Sequence, residues 1–339
     1  LNLGWGLCRL PWRSLPSKSK RFFFEKKNQK LLLVEVHGAT PRISSCKSFC
    51  FFFQKEALSF LGATTMQSRR GFVMSSLLTG FTLAATRAEA EAIHTDSAGL
   101  IAGEISVNTA HGTIPAYRAQ PDRAGTFPII LVIEEIFGVH EYIQDICRRL
   151  AKLGYMAIAP ELYARFGDFS KMTNPQEIVQ KIILKAPDDI MLNDLDSTLT
   201  WAVAHRGDTT RIGVMGFCRG GRDTWLYAEH NPYLRAAVAF YGPVRGPTSP
   251  IQPRTPLDAA AELKCPLLAM YGGADDSIDM KDVDQAVARA AKSGIKVETQ
   301  VFPGAPHGFH ADYRATYRPE AAEAAWAHAL SWFKKYGVN

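Results

Sequence analysis

The sequence is poor in cysteine, with six in 339 residues. Cys8, Cys46 and Cys50 fall in the N-terminal region, which leaves Cys147, Cys218 and Cys265 for the rest. An odd number of thiols without C-x-x-C spacing excludes a disulfide framework and a structural zinc site, and it leaves room for one free, reactive thiol. Long apolar runs are missing too: none reaches the ~20 residues a membrane-spanning helix needs. Net positive charge is scarce where it would matter. The formal charge is +6, but residues 1–91 hold 14 of the 39 basic and 5 of the 33 acidic side chains, so that region carries +9 and the remainder −3. A mildly acidic remainder gives no electrostatic basis for binding nucleic acid.

The basic N-terminal region divides in two. Ser68-Arg69-Arg70-Gly71-Phe72 places a twin arginine before an uncharged, moderately apolar run over 73–86, and Ala88-Glu89-Ala90 supplies the small residues a signal peptidase reads. Charged, apolar and small-residue regions in that order resemble a twin-arginine (Tat) export signal over 66–90, which predicts a periplasmic protein that meets the Tat machinery during export. An uncleaved membrane anchor is the alternative. Because such a signal is read near an N-terminus, Met66 is the expected start. Residues 1–65, with clusters such as Phe22-Phe23-Phe24 and no sustained period, are expected to be spurious upstream translation without structure.

Beyond residue 91 the pattern alternates. Strands are predicted over 104–108, 114–118, 128–133, 155–159, 211–215, 236–241, 266–271 and 296–302, and helices over 140–153, 188–205, 221–230, 281–292 and 319–336. Such alternation implies one α/β domain over 91–339, a mostly parallel sheet with helices on both faces and an antiparallel pair at its start. Ligands in that architecture bind beyond the carboxyl ends of the strands.

The candidate chemistry falls at those ends. Gly216-Phe217-Cys218-Arg219-Gly220 is a G-x-C-x-G between a predicted strand and a predicted helix, the nucleophile-elbow pattern with a thiol in place of a hydroxyl. A buried structural cysteine is the plainer alternative. Asp275 and Asp276 follow the strand over 266–271, and His307 follows the strand over 296–302. Nucleophile, acid and histidine in this chain order, each after a strand, predict a triad in which Cys218 attacks an acyl carbon. His307 moves the proton and Asp275 fixes the imidazole. Asp276 is a second candidate for the acid, and His310 for the base.

Further stretches carry a family resemblance. Glu135-Ile136-Phe137-Gly138-Val139 before a helix, Gly154-Tyr155, Pro160-Glu161-Leu162-Tyr163-Ala164-Arg165, the elbow and His307-Gly308-Phe309 together resemble the dienelactone hydrolase (carboxymethylenebutenolidase) family over 104–336. The resemblance implies an α/β-hydrolase fold with Cys218, Asp275 and His307 as triad. It implies that Glu135 helps deprotonate the thiol, and that the backbone N–H groups of Ile136 and Arg219 form the oxyanion hole. Glu135 read on its own is a loop carboxylate that caps the following helix; Glu134 has no assigned role. Phe137, Tyr163 and Arg314 are expected at the substrate. The family's arginine four residues after the catalytic histidine is Ala311 here, with Arg314 nearby but off register.

These readings predict hydrolysis of a small ester or lactone through a thioester acyl-enzyme, with no metal or organic cofactor. A general carboxylesterase or thioesterase on the same triad is the alternative within enzymes. A catalytically silent periplasmic binding protein is the alternative outside them.

Overall fold

The computed structural model describes residues 19–24, 32–37, 92–169 and 172–339. The twin-arginine segment and its cleavage site lie outside the described residues. Ser19–Phe24 and Leu32–His37 pair antiparallel, so the region expected to be without structure carries one short ladder. It belongs to a unit separate from the one that holds the remaining described residues.

Eight strands form the main sheet: β1 (Leu100–Thr109), β2 (Gly112–Pro121), β3 (Phe127–Ile133), β4 (Met156–Pro160), β5 (Gly207–Phe217), β6 (Ala236–Phe240), β7 (Leu267–Gly272) and β8 (Val297–Phe302). Their order across the sheet is β8-β7-β6-β5-β3-β4-β2-β1. β1 and β2 pair antiparallel, β2 meets β4 antiparallel, and from β4 through β3 to β8 all pairings are parallel. The central strands are apolar because both faces are covered: every residue of β3, β4, β6 and β7 is buried. The edge strand β8 instead alternates, with Val297 and Phe302 buried and residues between them partly exposed.

The helices are α1 (Glu141–Lys152), α2 (Pro175–Lys181), α3 (Asp188–Ala204), α4 (Arg219–His230), α5 (Pro256–Ala259), α6 (Met280–Lys292) and α7 (Pro319–Lys335). The two short ones, α2 and α5, escape the sequence periodicity because each spans only one or two turns. Their starts are nonetheless written locally. Asn174 accepts from the Gln176 N–H ahead of Pro175, and Thr255 forms a reciprocal capping box with Asp258 ahead of Pro256. Helix α4 begins at Arg219, two residues before the predicted start, and that shift defines the elbow.

Candidate active site

Cys218 is the N-cap of α4 and sits at φ 54°, ψ −112°, left-handed backbone that a side-chain-bearing residue adopts at a cost. Its N–H donates to the Phe240 carbonyl at 3.0 Å, tying the end of β5 to β6. The following turn is pressed against β3: a Cβ on Gly220 would lie 2.3 Å from the Ile133 carbonyl oxygen, so only glycine fits. This close approach places Cys218 at the start of the helix, above the sheet and beside the turn that leaves β3.

His307 and Asp275 arrive from the neighbouring strands. The loops after β7 and β8 are laced together, with the Ala274 N–H donating to Ala305 at 2.9 Å and the Gly273 N–H to Phe302 at 2.7 Å. A Cβ on Gly272 would lie 2.2 Å from the Ala305 carbonyl oxygen. The lacing brings His307 Nδ1 within 2.7 Å of Asp275 Oδ2. The other carboxylate oxygen of Asp275 accepts from Ser277, from its hydroxyl at 2.5 Å and its N–H at 3.0 Å. Cys218 is the imidazole's other close polar neighbour. The Tyr241 ring, from a residue held at φ 38°, stands edge-on to the imidazole with ring centres 5.0 Å apart.

The electrostatics follow from these contacts. Burial disfavours an imidazolium at His307, but Asp275 and then Cys218 outweigh it and push the group up to about 10. Burial likewise opposes the Asp275 carboxylate, yet His307 and Ser277 hold it below its ordinary value. The other two described thiols are sealed in the core: burial pushes Cys265 up to about 12 and Cys147 higher still. Both are poor candidates for reaction.

Glu135, at the turn after β3, is fully buried. Its Oε2 accepts from the Tyr313 hydroxyl at 2.6 Å and from Arg314 Nη2 at 3.0 Å, and His140 Nε2 stands 3.8 Å away. Burial favours the neutral acid, but Arg314, His140 and Tyr313 together hold the carboxyl down to about 2. The Arg314 guanidinium lies between the rings of Phe137 and Tyr313, 4.9 and 5.1 Å from their centres. Ala311 is wholly buried and offers no polar group. Three residues further along, after successive tight turns, Arg314 therefore supplies the guanidinium from outside the expected register.

The pocket over Cys218 has a volume of about 110 Å³. Ile136 and Arg219 border it, with apolar walls from Val179, Ile183 and Leu184 on one side and from prolines 243, 247 and 256 on the other. The Arg219 side chain is engaged by Tyr163 at 3.1 Å and Asp223 at 3.2 Å, and Arg222 forms a two-pronged pair with Asp188 at 2.8 and 2.9 Å. The guanidiniums that border the pocket's floor are thus already paired.

Several sequence expectations change here. Tyr163 does not reach the pocket: it is fully buried, donates to Asp223 at 2.5 Å and props Arg219. Phe137 does not line the pocket over Cys218 either, and packs on Arg314 instead. Asp276 is exposed while its neighbour Asp275 holds the histidine. His310 is buried, hydrogen-bonded to Tyr142 at 2.7 Å, and pulled down to about 3 by burial and by Arg149, so it is a neutral core residue. Glu135 shows no side-chain cap on α1. Ser277, Tyr241, Tyr313 and His140 were not anticipated. Only Ser277 left a local signal, a hydroxyl two residues after the acid where it can fold back on the loop.

Known proteins place this arrangement. The sequence model of the dienelactone hydrolase family matches residues 114–337. A protein of Methylorubrum extorquens named "Putative carboxymethylenebutenolidase" is 50% identical over 283 residues, covering 83% of this chain and 97% of that protein. One of the same name from Escherichia coli K12 is 43% identical, covering 81% and 98%. The crystal structure of a "Putative Dienelactone Hydrolase" from Klebsiella pneumoniae superposes with a TM-score of 0.68 at 46% identity, covering 70% of this chain and 99% of that one. A family match over residues 114–337, with relatives matched over nearly their full length, means that this chain belongs to the dienelactone hydrolase family of α/β-hydrolases and is a hydrolase.

Proposed function

We propose that Cys218, His307 and Asp275 form a catalytic triad that cleaves a carboxylic ester or lactone through a thioester. The observation that carries this reading is the 2.7 Å contact of His307 with Asp275 beside Cys218, with the cysteine on strained backbone at a helix start. The thiol proton passes to His307, whose hold on it Asp275 strengthens, and the sulfur then attacks the acyl carbon. The carbonyl oxygen, now negative, is received by the N–H groups of Ile136 and Arg219, the latter in the first turn of α4, where N–H groups have no intrahelical partner. Collapse expels the alcohol, which leaves with the proton from His307. Water then attacks the thioester, giving its proton to His307, and the acid departs as the thiol is restored. Asp275 stabilises the imidazolium throughout, and Glu135, held here by Arg314 and Tyr313, becomes an additional proton acceptor only when substrate releases it from them.

The apolar walls from Val179, Ile183, Leu184 and the three prolines favour a neutral, apolar group on the substrate, since the bordering Arg219, Arg222 and Arg245 are paired with Asp223, Asp188 and Asp282. This supports a general ester or lactone hydrolase over one restricted to acidic lactones. Rapid mixing with p-nitrophenyl esters tests the mechanism. The expected result is a burst of nitrophenol equal to the enzyme, with the acyl group found on Cys218 by mass spectrometry and no turnover in Cys218→Ala. Turnover without the thiol would refute it.

Export by the twin-arginine route belongs to the same proposal, supported by the Arg69-Arg70 motif and the following Ala-x-Ala. Replacing both arginines by lysine is expected to retain activity in the cytoplasm. Periplasmic activity left unchanged would end that part of the reading.

A further inference from the structure

The turn that carries Glu135 and Ile136 rests on two carboxyl groups with no part in the chemistry above. Glu134 follows β3 and is fully buried; its Oε1 accepts from the Leu162 N–H at 2.9 Å. Glu161 follows β4 and reaches the opposite way, its Oε1 accepting from the Val139 N–H at 3.0 Å. Its Oε2 lies 3.0 Å from where a Cβ on Gly138 would stand. Each group thus holds a backbone N–H of the other's loop, a reciprocal tie between the turns after β3 and β4.

The second oxygen of each carboxyl group is buried and receives no N–H or side-chain donor. The two groups are neighbours across the tied turns, close enough for the Glu161 charge to act on Glu134. Two ionised carboxylates are acceptors only, so contact between them in a dry interior would be a repulsion. One proton between them converts it into an O–H···O⁻ bond. We propose that Glu134 is a neutral carboxylic acid that donates to Glu161, and that this shared proton positions the turn bearing Ile136 and Glu135 beside Cys218.

The assignment of the proton to Glu134 follows from its surroundings. Glu134 faces the Glu161 carboxylate, the Tyr163 phenol and the N–H groups of Leu162 and Tyr163. Glu161 faces His140 and Glu104 as well, and it borders an open groove of about 410 Å³ where water can solvate its charge. Burial and then the neighbouring Glu161 charge push Glu134 well above the ordinary carboxyl range, while Glu161 is raised chiefly by burial. Glu134 is a positioning residue, since it touches neither Cys218 nor the pocket.

The inference rests on Ile136 being an oxyanion donor, so its test has one arm independent of turnover. Infrared difference spectra of the full chain, wild type minus Glu134→Gln, are expected to show the C=O stretch of a protonated carboxyl at pH 7. The same band is expected with Cys218→Ala as background, so the proton is tested even if the thiol is not the nucleophile. No such band overturns the proposal.

The second arm separates kcat from KM on a p-nitrophenyl ester. Glu134→Gln keeps a donor toward Glu161 and is expected to retain kcat within about threefold. Glu134→Ala removes it and is expected to lose at least tenfold in kcat with KM little changed, since misplacing a reacting group by about 1 Å can cost 10²-fold. Wild-type kcat in Glu134→Ala, or an equal fall in Glu134→Gln, overturns the positioning role.

Discussion

Arg314 donates to Glu135 across 3.0 Å, and their side chains are 4% and 0% exposed. A buried guanidinium and a buried carboxylate in contact satisfy each other, and neither can be removed without leaving the other uncompensated. Arg314→Ala is therefore expected to destabilise the protein by about 3–5 kcal/mol at neutral pH. Because the folded Glu135 is held down to about 2, against an ordinary value of 4.5, its contribution is present above the higher value and lost as pH falls through the lower one. Urea denaturation at pH 7 and pH 3 should show the gap between wild type and Arg314→Ala narrowing on acidification. An unchanged gap would show that the pair contributes nothing through charge.

Asp275 and Asp276 make a clean comparison, because they are adjacent and only one touches the imidazole. Asp275→Asn keeps the shape but withdraws the charge that raises His307, and a triad that loses its orienting acid drops by about 10⁴ in kcat. Asp276→Asn, on an exposed side chain, is expected to stay within about twofold. Steady-state rates on one ester distinguish the two; a large loss in Asp276→Asn alone would remove Asp275 from its role.

The elbow can be tested without touching the thiol. Gly220→Ala inserts a methyl group 2.3 Å from the Ile133 carbonyl oxygen, and backbone on both sides has nowhere to go. Overpacking of this kind costs about 1–3 kcal/mol or more, and here it would also push α4 away from β3, moving the Arg219 N–H from Ile136. Thermal denaturation should fall together with kcat. A protein as stable and as active as wild type would mean that the close approach is not needed.

The histidine should titrate with its neighbours. His307 is raised to about 10, so the stability of its charged pair is fully present below the ordinary 6.5 and is lost as pH rises from there through about 10. Since Cys218 is one of the groups raising it, Cys218→Ala is expected to lower the His307 titration seen by NMR. An identical titration in both proteins would show that the sulfur and the imidazole do not interact.

Much of this arrangement is legible in the sequence. Short β-branched runs alternating with longer amphipathic stretches located all eight strands of the main sheet, because parallel strands buried on both faces must be apolar and their connections must be helical. The order Cys218, Asp275, His307 was legible because each follows a strand. What escaped depends on chain reversal over several residues. Arg314 reaches Glu135 because the loop after His307 turns twice, and Tyr163 meets Asp223 and Arg219 from the turn that follows β4. The acid pair of Glu134 and Glu161 joins two turns 27 residues apart, a pairing that no local pattern encodes.

Substrate choice follows from where charge is already spent. An acidic lactone would have to win Arg314 from Glu135 inside a site that is almost fully closed, whereas a neutral ester needs only the apolar walls of Val179, Ile183 and Leu184. Neutral esters or lactones are therefore expected to be cleaved with kcat/KM within about tenfold of dienelactone, a gap of about 1.4 kcal/mol in transition-state binding. Placing a charge on the wall should invert the order for neutral substrates alone. Ile183→Asp is expected to lower kcat/KM for an apolar ester by one to two orders of magnitude, since a buried unpaired carboxylate loses the contact and resists desolvation. Parallel kinetics on a neutral and an anionic lactone decide the matter. A strong preference for the anionic lactone in wild type, abolished by Arg314→Ala, would show that the substrate's carboxylate displaces Glu135 and takes the guanidinium for itself.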